Sequence, residues 1–148
     1  MKTVESIKKT LDLKAPKEKV WEVLTKDEYT RQWYSEFSEG SYAMSEWKEG
    51  DKITFLDKSG SGIIGVISTL KPYEKIEFSY NGVLNKGTED FESEEAVAVK
   101  GFRETYWLEE KNGETTLYVE SEMNEEYVQM MGDSWDKALK VLKDLAEK

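Results

Sequence analysis

The spacing of apolar residues changes between strand and helix periodicity along the chain, and these changes predict its elements. Residues 3–13 place Ile7, Leu11 and Leu13 on one side of an extended segment. Side chains two residues apart share one face of a strand. This segment is therefore predicted to be the first β-strand.

Two short helices are predicted after this strand. Pro16 suits a first helical position, and the apolar residues of 20–24 follow at helical spacing. Residues 25–28 (TKDE) have the form of a capping box, which predicts that a second helix starts there. That helix would carry Trp33 and Tyr34.

The middle of the chain has the β-branched runs and the alternation that are typical of strands. Strands are predicted at 41–47, 52–57, 63–70, 76–80, 97–109 and 116–123. The polar stretch 81–95 is predicted to be a long loop with some pairing. Asn112 and Gly113 lie between the last two predicted strands. An Asn-Gly pair in this position strongly favours a hairpin turn.

The C-terminal segment, residues 124–147, is predicted to form one long amphipathic helix. Its apolar residues, at helical spacing, are Val128, Met131, Trp135, Ala138, Leu139, Leu142 and Leu145. At about 1.5 Å per residue such a helix is roughly 35 Å long, enough to cross a sheet.

These elements predict an α+β protein with an antiparallel sheet of about six or seven strands. A sheet with one apolar face needs a cover, which the long C-terminal helix would supply, while the two short helices would close one end of the curled sheet. The 148 residues contain no internal repeat and no Pro- or Gly-rich linker, so a single domain over residues 1–148 is expected.

The charge balance narrows the possible partners. Lys and Arg total 21 against 31 Asp and Glu, which gives a net charge of −10. Nucleic-acid binding needs cations that displace phosphate counterions, and attachment to anionic lipid needs them as well. Neither nucleic acid nor a membrane is therefore an expected partner.

The chain has no histidine and no cysteine. A Ser-His-Asp triad, a Cys-His pair, a disulfide and a His-ligated zinc site are all excluded. We expect no metal and no cofactor. Catalysis would have to use carboxylates, Lys, Tyr or a bound cofactor, so a non-enzymatic protein is favoured.

The N-terminal residues 1–14 contain no apolar run of the kind found in signal peptides. No segment approaches eighteen consecutive apolar residues. A cytoplasmic location is therefore expected.

Five segments occur in an order that is shared with a known superfamily. They are APKEKVWEVLT at 15–25, QWY at 32–34, WKEGDKITF at 47–55, GFRETYWLEEKNGETTLYV at 101–119, and Trp135 ahead of ALKVLKDL. Through them the chain resembles the START-like (SRPBCC) superfamily, and within it small proteins related to the activator of the heat-shock-protein-90 ATPase. The resemblance implies a helix-grip fold, in which a curved sheet wraps around the long helix and encloses an apolar cavity.

Large side chains are predicted to face this cavity. Trp33, Tyr34 and Phe37 would stand at its mouth, while Trp21 would be ordinary core. The other side chains expected to project into the same interior are Tyr80, Phe102, Glu104, Tyr106, Met123, Met131 and Trp135. We expect this set to bind a ligand; the alternative is that the aromatic side chains fill the cavity themselves.

Glu104 is the polar exception on this face. If Phe102, Tyr106 and Leu108 point inward, strand alternation carries Glu104 inward with them. Burial would raise the pKa of its carboxyl, which could then anchor a polar head group or act as an acid or base. The alternatives are a register break or a pairing with Arg103 or a lysine.

Two further sequence patterns resemble ligand-binding motifs but are predicted to have structural roles. GSGIIG at 60–65 has the spacing of a dinucleotide-binding motif, but strand residues follow it where that motif needs a helix. A hairpin turn and a kink are expected instead. The acidic run EDFESEE at 89–95 lacks the alternating ligands of a calcium loop and is expected to be a solvated loop over the cavity entrance.

Three functions remain open. The leading hypothesis is a non-enzymatic carrier or sensor that binds a small apolar or amphipathic molecule in the cavity. The second is a chaperone-associated protein that acts through its surface and binds no ligand. The third is an enzyme that uses Glu104 as an acid or base.

Overall fold

One antiparallel sheet curves around the long C-terminal helix. The computed structural model describes residues 4–148, so residue 3 of the predicted first strand lies outside the described residues. The strands are β1 (Val4–Leu13), β2 (Tyr42–Met44), β3 (Lys52–Leu56), β4 (Gly62–Lys71), β5 (Lys75–Asn85), β6 (Thr88–Asp90), β7 (Arg103–Lys111) and β8 (Glu114–Asn124). Their order in the sheet is β1-β8-β7-β5-β4-β3-β2, and β6 pairs with β5.

The helices that the predicted helix-grip fold requires are present, together with a further short helix at Glu94–Val99, which was not predicted. They are α1 (Lys17–Thr25), α2 (Asp27–Tyr34), α3 (Glu94–Val99) and α4 (Val128–Ala146), and a 3₁₀ turn at Glu125–Tyr127 precedes α4. The two short helices after β1 and the long C-terminal helix confirm the α+β architecture that the sequence predicts.

The apolar stripe of α4 is packed against the inner face of the sheet. Its buried residues are Trp135, Ala138, Leu139, Leu142, Leu145 and Ala146. They belong to one core with Leu117 and Val119 of β8 and Phe78 of β5. Burying a large apolar side chain contributes about 1.5–3 kcal/mol, so this stripe holds the helix in the curve of the sheet.

Helix α2 starts where the sequence predicts it, but the prediction of a capping box at its start is wrong. Thr25 is the last residue of α1, and its Oγ1 donates a hydrogen bond to the carbonyl oxygen of Trp21 at 2.8 Å. Lys26 occupies the N-cap position without a side-chain cap. Asp27 and Glu28 lie in the first turn, where the helix dipole favours acidic side chains.

The segment predicted as a long loop is more ordered than expected. β5 continues to Asn85 and turns through Lys86 and Gly87, both with positive φ, into β6. Ser93 then caps α3, because its Oγ accepts a hydrogen bond from the backbone N–H of Ala96 at 3.2 Å. Residues 97–102 are therefore not part of the predicted strand, which begins only at Arg103.

The second strand is shorter than predicted, and Trp47 cannot belong to it. Its φ is 55°, in the left-handed region, so the extended segment predicted for 41–47 cannot continue to its end. Residues 42–44 alone form β2.

The glycines of GSGIIG form a turn and a kink, as predicted. Gly60, with a φ of 82°, lies in the turn between β3 and β4. The register of the pairing between β4 and β5 shifts between Ile64 and Gly65. A Cβ at Gly65 would lie 2.6 Å from the carbonyl oxygen of Ser79 and 3.1 Å from the Tyr80 ring. The missing side chain therefore leaves the space in which the Tyr80 ring sits.

Candidate functional site

A cavity of about 170 Å³ lies between the sheet and the helices α2 and α4. The lining residues are Trp33, Tyr34, Phe37, Ser41, Phe55, Ile63, Tyr80, Glu104, Tyr106, Met131 and Trp135. An apolar cavity of about 150 Å³ can hold benzene, whereas sites for drug-sized ligands begin near 300 Å³. The space therefore suits one ring or a short branched chain.

The structure brings eight of the ten residues that we singled out from the sequence to this cavity. The other two, Phe102 and Met123, do not line it. Phe102 precedes β7, where its carbonyl oxygen accepts a hydrogen bond from the Tyr80 backbone N–H at 2.9 Å. Met123 lies near the end of β8, and both side chains are partly buried against the core.

Three lining residues were not singled out from the sequence. Phe55 alternates with the buried Ile53 on β3, so its period already indicated an inward side chain. Ile63 starts the apolar run of β4, next to the register shift between Ile64 and Gly65. Ser41 lies in the loop before β2 and has no sequence signal of this kind.

Five aromatic residues of the lining, together with the buried Phe78, form a closed circuit of ring contacts, which we call the aromatic wall. Starting at Trp135, the rings touch in the order Trp33, Tyr34, Phe55, Phe78, Tyr106 and back to Trp135, with centroid distances from 4.5 to 6.3 Å. Most of these pairs are edge to face, the arrangement that aromatic quadrupoles favour. The wall is therefore held by mutual contacts between rings from two helices and three strands.

Trp33 and Tyr34 belong to this wall and not to the mouth where we expected them. Trp33 is 1% exposed and Tyr34 7% exposed. The Trp33 Nε1–H donates a hydrogen bond to the carbonyl oxygen of Val23 at 2.8 Å, which ties α2 to α1. Phe37, which follows α2, is only partly buried and packs on Trp135 with centroids 4.9 Å apart.

Glu104 lies on the inner face of β7, opposite Ser121 of β8. The Tyr106 hydroxyl donates to Glu104 Oε2 at 2.5 Å, and the Ser121 hydroxyl donates to Oε1 at 3.2 Å. The Tyr80 hydroxyl is a further hydrogen-bond partner of this carboxyl. The side chain of Arg103 points to the other face of the sheet and pairs with Glu122, so the alternative pairing with Glu104 does not form.

Burial dominates the electrostatics of this cluster. Desolvation raises the pKa of Glu104, and the hydrogen bonds from Tyr106, Ser121 and Tyr80 offset part of that rise. Burial and the nearby Glu104 carboxyl also raise the pKa of Tyr34, Tyr80 and Tyr106. The three phenols therefore stay protonated and can act as hydrogen-bond donors at neutral pH.

Within residues 4–148, no group of three or more Asp or Glu side chains is arranged to hold a metal ion. No helix in the same part of the chain is long and apolar enough to cross a membrane.

Comparisons with known proteins agree with this architecture. The sequence family described as "Activator of Hsp90 ATPase homolog 1-like protein" matches residues 14–147. No curated protein is detectably similar in sequence.

Solved structures share the fold at low sequence identity. The Aha1 dimer from Colwellia psychrerythraea has a TM-score of 0.73 at 20% identity, covering 97% of this chain and 96% of its own. CalU16 from Micromonospora echinospora has a TM-score of 0.68 at 17% identity, covering 99% and 85%. MLL2253 from Mesorhizobium loti has a TM-score of 0.74 at 13% identity, covering 95% and 96%.

Proposed function

The chain belongs to the family of activator of Hsp90 ATPase homolog 1-like proteins, and we propose that it is a cytoplasmic, non-enzymatic carrier or sensor. Its ligand would be a small amphipathic molecule held in the cavity between the sheet and α4. The observation that carries this proposal is the pairing of an aromatic wall with one polar cluster, the hydroxyls around Glu104. Ligand sites commonly combine a mostly apolar lining with a few polar groups that set orientation.

The volume of the cavity limits the ligand. About 170 Å³ is too small for a sterol or a long acyl chain, but enough for a single ring that carries a polar substituent. The ring would contact Trp33, Phe37 and Trp135, and the substituent would reach the carboxyl of Glu104 or the hydroxyl of Tyr106.

Benzyl alcohol is a suitable first probe, because it has one ring and one hydroxyl. We expect saturable quenching of tryptophan fluorescence and a raised melting temperature, since a ligand that binds only the folded state stabilises it. Ile63→Phe should abolish both effects because the larger side chain fills the cavity. Thr54→Phe, on the neighbouring strand and away from the lining, is the matched control and should leave them unchanged.

Two results would contradict this proposal. One is quenching that rises linearly without saturation in the unmodified protein. The other is equal binding to the Ile63→Phe and Thr54→Phe variants, which would put the probe outside the cavity.

A second candidate function is action on a chaperone of the Hsp90 type through the surface. The family description supports it, and Tyr127 and Met130 are exposed apolar side chains at the start of α4. This candidate predicts that the protein raises the ATPase rate of Hsp90 from the same cell, and that Met130→Asp removes the effect. An unchanged ATPase rate at saturating protein concentration would exclude it.

A catalytic role for Glu104 would rest on the same raised pKa and would require turnover in addition to binding. In the carrier hypothesis, the probe is recovered chemically unchanged after prolonged incubation.

A further inference from the structure

The cavity holds a carboxyl group that has no positively charged partner in the protein. The hydrogen-bond partners of Glu104 are the neutral hydroxyls of Tyr106, Ser121 and Tyr80. None of the ion pairs found in residues 4–148 includes it. Buried carboxylates are normally paired with a cation, because an unpaired one is costly to remove from water. The site therefore has an unmatched negative group.

The aromatic wall favours the same kind of partner. The face of an aromatic ring is electronegative and attracts a cation within about 6 Å of its centroid. In the described part of the chain, the cation–π pairs use the rings of Tyr29, Tyr42 and Trp107, which are all outside the cavity. The rings that line the cavity thus have no cation from the protein.

We propose that the ligand of this cavity is a small organic ammonium ion, held between the aromatic wall and Glu104. The inference rests on the proposed function of the cavity as a ligand site. An ammonium group with a short apolar body fits about 170 Å³, whereas a carboxylic acid would bring a second negative charge toward Glu104. The net charge of −10 also attracts cations over longer distances.

A matched pair of probes separates charge from shape. Choline carries a trimethylammonium group, and 3,3-dimethyl-1-butanol has the same shape without the charge. Isothermal titration calorimetry at pH 8 and low ionic strength should give at least about tenfold tighter binding for choline, since a desolvated cation gains from both the rings and the carboxylate.

Two variants test the residues that would recognise the positive charge of the ligand. Glu104→Gln keeps the size of the side chain and an oxygen that can accept a hydrogen bond. It should weaken choline binding by about tenfold or more, and binding of the uncharged alcohol by a much smaller factor, because only the charge is removed. Phe37→Leu keeps an apolar side chain at the partly exposed edge of the cavity and removes a ring. It should weaken choline binding by about threefold to tenfold and the alcohol little. Circular dichroism checks that both variants are folded.

The outcomes distinguish failure of the ammonium inference from failure of the proposed ligand site. Equal affinity for the two probes, or tighter binding of the alcohol, would overturn the ammonium inference and leave the carrier function standing. The same holds if neither probe binds but benzyl alcohol does. If none of the three binds, both the ammonium inference and the proposed ligand site are wrong.

Discussion

Replacing Trp33 with alanine is expected to lower the free energy of unfolding by about 3–5 kcal/mol. The indole is 1% exposed, touches Tyr34, Tyr106 and Trp135, and donates a hydrogen bond to the carbonyl oxygen of Val23. The truncation would leave a void in the cavity wall and a carbonyl without its partner. A domain typically has only about 5–15 kcal/mol of stability, so this variant should be close to unfolding.

Urea titrations followed by circular dichroism measure this loss. Trp107→Ala is the matched control, because Trp107 is a tryptophan of β7 that packs against Lys75 and lines no part of the cavity. We expect it to cost about 1 kcal/mol or less, as is usual for substitutions near the surface. Similar losses for the two variants would mean that Trp33 is not an anchor of the wall.

Replacing Glu104 with glutamine is expected to stabilise the protein at neutral and alkaline pH and to have little effect in acid. Burial raises the pKa of this carboxyl in the folded state, so folding favours its protonated form. The stability that comes from holding this proton is complete below the unfolded-state pKa and is lost as the pH rises through the folded-state pKa. A glutamine side chain is neutral at every pH and avoids that loss.

The difference in unfolding free energy between the two proteins, measured in urea from pH 4 to pH 8, isolates this group. It should be near zero at the acid end and grow with pH in favour of glutamine, since an unpaired buried carboxylate is costly. Other carboxyl groups titrate equally in both proteins and cancel. Glu114→Gln, at an exposed position in the β7–β8 hairpin, should show no such trend. A difference that favours the wild type at high pH would contradict this prediction, because it would mean that the hydrogen bonds to the carboxylate outweigh the cost of its burial.

Much of the fold follows from the sequence because period and turn chemistry are local properties. The stripe from Trp135 to Leu145 predicts α4, and Asn112-Gly113 predicts the hairpin between β7 and β8. The inward position of Glu104 also follows from alternation along β7. The errors are local too: a capping box at Thr25 and a strand at 97–102 were plausible in isolation, but other hydrogen bonds formed there.

The roles of the aromatic residues depended on tertiary structure. Trp21 and Trp33 both lie on short amphipathic helices, and we expected the first in the core and the second at the cavity mouth. Trp33 is the buried one, whereas Trp21 is partly buried and packs against the ring of Tyr73. Helical period gives a face but not the neighbours of that face, because the neighbours come from distant segments.

The sequence by itself determined the order of all elements except β6 and α3, the cover of the sheet by α4 and the inward face that carries Glu104. Only the tertiary structure decided which side chains line the cavity: Phe55 and Ile63 do, and Phe102 and Met123 do not. It also decided that Glu104 accepts hydrogen bonds from hydroxyls and does not pair with Arg103. The physical reason is that alternation follows from the geometry of each strand alone. The size and the lining of a cavity depend on how strongly the sheet curves and on which side chains meet across it.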